Sequence, residues 1–126
     1  MENIINNNVI SSSDINLKEN IWDLRSEDYI SLNKVANVRL KSFNFKGKPE
    51  RRVYGVIAQE VQEAALEDLV YNQDSGMLAV DYTSLLVLKT AMLERDLSIS
   101  KETIKNLTNS LESLEKRVEE LEKKND

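Results

Sequence analysis

The chain has 126 residues, a formal net charge of −5 and 31% charged residues. That acidic balance argues against nucleic acid or an anionic membrane as partner, since both reward a basic excess. It contains no histidine and no cysteine, which excludes Ser-His-Asp triads, cysteine nucleophiles, disulfides and His/Cys metal sites, so neither a metal nor a cofactor is expected. The longest apolar run, Leu85-Leu86-Val87-Leu88, is far too short to span a bilayer, and no signal-peptide pattern stands at the front. The expectation is a soluble, non-secreted module that leans on oligomerisation to compensate for a small core.

In chain order, Met1 to Ser12 is Asn/Ser/Ile-rich, lacks a helical period and reads as extended. The next run, Ser13-Asp14-Ile15-Asn16-Leu17-Lys18-Glu19, places a hydroxyl five positions before a lysine. Without histidine, a lysine of lowered pKa is the remaining side chain suited to activate a serine. The same Ser13-Asp14 pair is equally an ordinary helix N-cap, and spacing alone does not decide between the two. On a regular helix, residues five apart diverge by about 140°. A Ser13–Lys18 pair therefore needs Ser13 in extended chain reaching back, or Lys18 from a neighbouring subunit.

From Ile21 to Val38 the apolar positions Ile21, Leu24, Leu32, Val35 and Ala36 predict short helical pieces around a break near Ser26. Val38 to Phe45 alternates with period two and predicts a strand with Val38, Leu40 and one of Phe43 or Phe45 half buried. Lys46-Gly47-Lys48-Pro49-Glu50 is a turn, and Arg51 to Ile57 is the returning strand of a hairpin. Lys46, Lys48, Arg51 and Arg52 cluster at its tip against Glu50. Aromatics nearby (Phe43, Phe45, Tyr54) leave a nucleic-acid reading conceivable, but the acidic chain favours a solvated tip or one that holds another protein segment. Ala58 to Leu66 reads as a short helix with Val61 and Ala65 on one face. Asp74-Ser75-Gly76 is a turn between strands at Leu69–Tyr71 and Met77–Val80.

The last third sets the architecture. Leu97, Ile104, Leu111 and Val118 recur every seven residues, with Leu93, Leu107, Leu114 and Leu121 on the complementary positions and Ser100 as the polar exception. This a/d pattern over about four heptads predicts a coiled coil. With Asp81 as N-cap and no Gly or Pro after Gly76, one helix is expected from Thr83 to Lys124, roughly 60 Å long. Asp96 with Lys101 and Arg117 with Glu122 fall at g and following e positions, which favours parallel chains. Periodicity alone leaves their number open. The fold class is α+β: a small mixed head of β-hairpins and short helices, then a long C-terminal helix that forms a coiled coil.

These blocks resemble the intramolecular chaperone auto-processing domain found at the C-terminal end of phage tail spikes, tail fibres and neck appendages, endosialidase tail spikes among them. Related domains occur in some eukaryotic membrane-bound transcription factors. The resemblance rests on Ser13-Asp14 with Leu17-Lys18-Glu19-Asn20-Ile21, on Arg39 to Phe45, on Gly55-Val56-Ile57-Ala58-Gln59-Glu60-Val61, and on Val80-Asp81-Tyr82 followed by an apolar helix. It implies a parallel homotrimer that holds an upstream fibre or β-helical segment of the same polypeptide in register while that segment folds. It further implies self-cleavage between Ser12 and Ser13, with Ser13 and Lys18 as a catalytic dyad and Asp14, Asn16, Tyr54, Gln59 and Glu60 as supporting positions. Asn16 stands where the family often has arginine, and Tyr54 where it often has histidine; both departures bear on cleavage rate.

The implied division is 1–12 as the end of the upstream fibre segment, 13–82 as the auto-processing head and 83–126 as the trimeric coiled-coil helix. The implied setting is the host cytoplasm during virion assembly, with release from the mature appendage after cleavage. The implied partners are its own copies and the upstream segment, with neither nucleic acid nor membrane. Two other readings fit the same residues: a non-catalytic trimerisation foot, in which Ser13-Asp14 is only a cap, and a coiled-coil adaptor for a host protein.

Overall fold

A computed structural model describes residues 2–5, 8–24 and 29–125. Its elements are β1 (Glu2–Ile5), β2 (Asn8–Ser11), a 3₁₀ turn at Ile15–Leu17, α1 (Tyr29–Val35), β3 (Lys41–Phe43) and β4 (Val53–Gly55). There follow α2 (Ala58–Glu63), a second 3₁₀ turn at Glu67–Leu69, β5 (Val70–Asn72), β6 (Leu78–Val80) and α3 (Tyr82–Lys124). Each consecutive strand pair forms its own two-stranded antiparallel sheet, with Glu2 opposite Ser11, Lys41 opposite Gly55 and Val70 opposite Val80. The fold is α+β, with short hairpins and one long C-terminal helix. No described helix is long and apolar enough to cross a membrane.

Helix α3 does two jobs with two faces. Leu85, Leu88 and Met92 follow helical spacing and pack with Val35, Val38, Val56, Val61 and Leu66, which form the core of the head. Each such side chain withdrawn from water contributes about 1.5–3 kcal/mol. The other stripe, Leu86, Leu93, Leu97, Ile104, Leu107, Leu111, Leu114, Val118 and Leu121, is 51–64% exposed in the single chain. The head thus hangs from one side of the helix and leaves the heptad seam open.

Polar contacts fasten head to helix. The Lys89 ammonium donates to the Val38 carbonyl, and burial draws the Lys89 pKa below its ordinary value. Arg95 Nη1 donates to Asn33 Oδ1 at 2.7 Å. The Tyr82 hydroxyl accepts the Val56 N–H at 3.0 Å. Tyr82 fits there because residue 55 is glycine: a Cβ at that position would overlap the Tyr82 hydroxyl. Gly55→Ala should therefore cost about 1–3 kcal/mol, the range for overfilling a packed site. A denaturant midpoint lowered in Gly55→Ala, with a smaller loss in a Tyr82→Phe background, is the expected result.

Asp81 caps α3 as expected: its carboxylate accepts the Ser84 N–H at 3.1 Å and the Ser84 hydroxyl at 2.8 Å. The backbone hydrogen bond from Ser84, then that from its hydroxyl, holds the Asp81 pKa below the ordinary 3.8. A depressed carboxyl contributes stability that is complete above the ordinary value and lost as pH falls through the folded one. Asp81→Ala should cost about 1 kcal/mol at neutral pH. The difference from the unaltered chain, read by thermal melts, should shrink once the pH drops below 3.8.

Several expectations are corrected. Leu40 is 65% exposed rather than half buried. The strand starts only at Lys41, because the Val38 N–H closes on the Val35 carbonyl and extends the helical turn of α1. Val38 itself is buried, and Phe43 is half buried with Phe45 exposed and edge-on to it. Helix α2 stops at Glu63 instead of reaching Leu66. Ala65 takes the left-handed conformation, φ 62°, and faces solvent. The Leu66 and Ala65 N–H groups return to the Val61 and Gln62 carbonyls, a Schellman closure that buries Leu66 against Val61. The segment before Ser12 is extended as expected, as the antiparallel strands β1 and β2, and the break foreseen near Ser26 lies outside the described residues.

Candidate functional site

Ser12 and Ser13 lie in exposed chain outside helix and strand, directly after β2. Asp14 is the N-cap of the 3₁₀ turn, its carboxylate accepting the Asn16 N–H at 2.8 Å. The Leu17 and Lys18 N–H groups close on the Asp14 and Ile15 carbonyls at 3.1 Å. Lys18 then leaves in extended conformation, φ −123° and ψ 151°. A turn of three residues reverses the chain without the angular divergence of a full helix. Lys18 Nζ lies 2.7 Å from Ser13 Oγ within one chain. In the single chain Ser13 thus lies ahead of the turn and meets Lys18 of the same chain.

The contact has a definite chemical meaning. A charged lysine can only donate to the serine hydroxyl, whereas a neutral amine can take its proton. Generating the neutral form requires desolvation or neighbouring cations. Both residues are exposed in the single chain.

Among the supporting positions, Asp14 and Asn16 build the turn itself. Tyr54 is 77% exposed on β4, while Gln59 and Glu60 open α2, with Glu60 paired to Lys41 at 3.4 Å. The latter three therefore sit on other elements of the head. After the turn, Asn20 adopts φ 54°, a conformation that asparagine tolerates better than most residues, and the chain continues through exposed Ile21 and Trp22.

The basic hairpin is less uniform than its sequence. Arg52 is committed to the opposite strand, donating to the Ser42 hydroxyl at 2.8 Å and the Ser42 carbonyl at 3.2 Å. Lys46, Lys48 and Arg51 are exposed around a turn in which Gly47 has φ 83°, a conformation that favours glycine. The tip thus presents three cations, with the fourth serving as a cross-strand brace. The sequence also gave no sign that Tyr82 or Lys89 would tie the helix to the head, because their acceptors and donors lie 26 and 51 residues away.

Residues 13–71 match the model of the Peptidase_S74 family, described as chaperone of endosialidase. No curated protein matches the chain.

Proposed function

We propose, on the match of residues 13–71 to the family described as chaperone of endosialidase, that this chain assembles an upstream fibre segment as a parallel trimer and then cuts itself free between Ser12 and Ser13. The family supplies the chaperone role and a fibre-type protein as associate. Self-cleavage draws its support from one observation: a lysine amine 2.7 Å from the hydroxyl of the residue that follows the scissile bond.

In this reading neutral Lys18 takes the proton of Ser13 Oγ as the oxygen attacks the Ser12 carbonyl carbon. The C–N bond of Ser12–Ser13 breaks, and the proton held by Lys18 passes to the departing Ser13 nitrogen. The acyl group either rests as an ester on Ser13 Oγ until water hydrolyses it or passes directly to water. The products are a Ser12 carboxylate and a chain that begins with Ser13. Residues 13–82 act as the processing head and 83–126 as the registering coil. The work takes place in the host cytoplasm during virion assembly, and the module leaves the finished appendage.

Registration and release have an energetic logic. A β-rich fibre is dominated by non-local pairing, which closes slowly and exposes strand edges meanwhile. A coil built from local contacts raises the effective concentration of the attached chains and aligns them. Removing it afterwards closes a low-barrier route back to separated chains and leaves a kinetically stable product.

The test is the mass of the product from a chain extended upstream. A fragment beginning at Ser13 is expected, and a permanently intact chain would favour the non-catalytic foot. The exposed hairpin tip is assigned to contact with the upstream segment. Deleting Lys46 to Arg51 should lower the yield of folded fibre several-fold while leaving the helical signal of the coil in place.

A further inference from the structure

Two apolar clefts flank α3 near its start, and Leu86 lines both. One, of about 760 Å³, lies between the Trp22-Asp23-Leu24 strap and the helix at Thr83, Thr90 and Glu94. The other, of about 480 Å³, lies between the β3–β4 hairpin at Leu40, Lys41 and Tyr54 and the helix at Tyr82. The dominant side chains at their rims are open to solvent: Trp22 is 69% exposed, Leu40 65% and Tyr54 77%. An indole, a leucine and a phenol left in water are large apolar liabilities, and aromatic groups of this kind are the usual anchors of protein interfaces.

The position of Leu86 identifies what covers them. It stands seven residues before Leu93, and Thr83 and Thr90 stand at seven-residue intervals before Leu97, so the heptad seam runs along the Trp22 cleft and borders the other cleft at Leu86. When identical parallel chains close into a ring around that seam, each copy turns one flank to the opposite flank of the next, and the same two patches meet at every boundary. The signs of the two flanks agree with this pairing, with Glu94 on the Trp22 flank and Lys41, which also pairs with Glu60 at 3.4 Å, on the other.

Resting on the trimeric coil of the preceding section, we propose that the Trp22 flank of one copy docks into the Leu40/Tyr54 cleft of a neighbouring copy. The strap that begins with Ser13 and Lys18 is thereby fastened by the next chain. Docking couples assembly to the site through a surface patch, while the pair itself stays within one chain.

Trp22 is the only tryptophan in the chain, so its fluorescence reports docking without any reference to cleavage. In trimers of the full chain, verified by light scattering, its emission should move to shorter wavelength and its quenching by acrylamide should fall several-fold relative to a monomeric seam variant. The pair Leu40→Asp with Tyr54→Ala, or Tyr54→Ser alone should the pair fail to fold by circular dichroism, should stay trimeric and return Trp22 to the exposed emission. In mixed trimers, Trp22 on a cleft-altered chain should recover shielding from Trp22→Phe partners whose clefts are intact. Trimers in which Trp22 is as quenchable as in the monomer would overturn the docking and leave the coil standing. Absence of trimers would remove both. Mixed trimers with no recovery would place the contact within one chain and overturn the proposal.

Discussion

Replacing Ser13 with alanine should leave an upstream-extended chain uncut, still assembled and with its fibre segment folded, because the substitution removes the proposed nucleophile and, of the contacts around the turn, only the one to Lys18. Asp14 remains the cap, through its bond to the Asn16 N–H. Lys18→Ala should slow cutting by about 10²–10⁴-fold, the range associated with a positioned base. Ser11→Ala and Ser12→Ala should still cut, which matters because three consecutive serines, Ser11 to Ser13, offer substitutes for one another. Normal cutting by Ser13→Ala would end the processing reading, and wild-type rates in Lys18→Ala would require another base. Since the pair meets within one chain at 2.7 Å, mixed assemblies of Ser13→Ala and Lys18→Ala chains should stay uncut. Restored cutting would mean that the working site is built across the subunit boundary.

The second large effect concerns assembly. Ile104→Asp combined with Leu111→Asp puts two carboxylates per chain on the seam, where both side chains now supply apolar surface exposed by 62% and 56% in the single chain. In the proposed trimer each loses about 1.5–3 kcal/mol of burial and adds a charge whose desolvation costs several kcal/mol more. Monomers are the expected species by light scattering. The helical signal should fall as well, since an isolated helix with no partner for its apolar stripe is marginal. The head should survive, because Leu85, Leu88 and Met92 pack on it through the other face of the same helix. A variant that remained trimeric would show that the head, and not the coil, carries assembly.

The two outcomes separate the halves of the proposal. A cutting-dead trimer with a folded fibre keeps the chaperone role and isolates the chemistry. A monomer that no longer cuts would show that the chemistry depends on the surroundings that assembly brings to Lys18 and Ser13. The exposure of both residues in one chain, set against the desolvation a lysine base requires, makes the second outcome the expected one.

What the sequence by itself determined was everything carried by local periodicity and local capping. The seven-residue recurrence from Leu93 to Leu121 specified an uninterrupted helix with an open stripe, and Asp81 specified where it starts, observed one residue early at Tyr82–Lys124. Alternation and turn residues specified the hairpins around Gly47 and Gly76, while the Ser13–Lys18 pair was singled out by the motif's resemblance to a family and not by its spacing. Whether that pair met depended on the turn between them being three residues of 3₁₀ and not a longer helix, a choice that composition leaves nearly balanced. Only the tertiary structure decided that Leu40 faces out, that Ala65 turns left-handed so Leu66 can enter the core, that Arg52 braces a strand, and that Tyr82 and Lys89 reach partners far along the chain. Each of these is an energy difference of about a kcal/mol or two between local alternatives, and it is settled by which distant side chain fills the space.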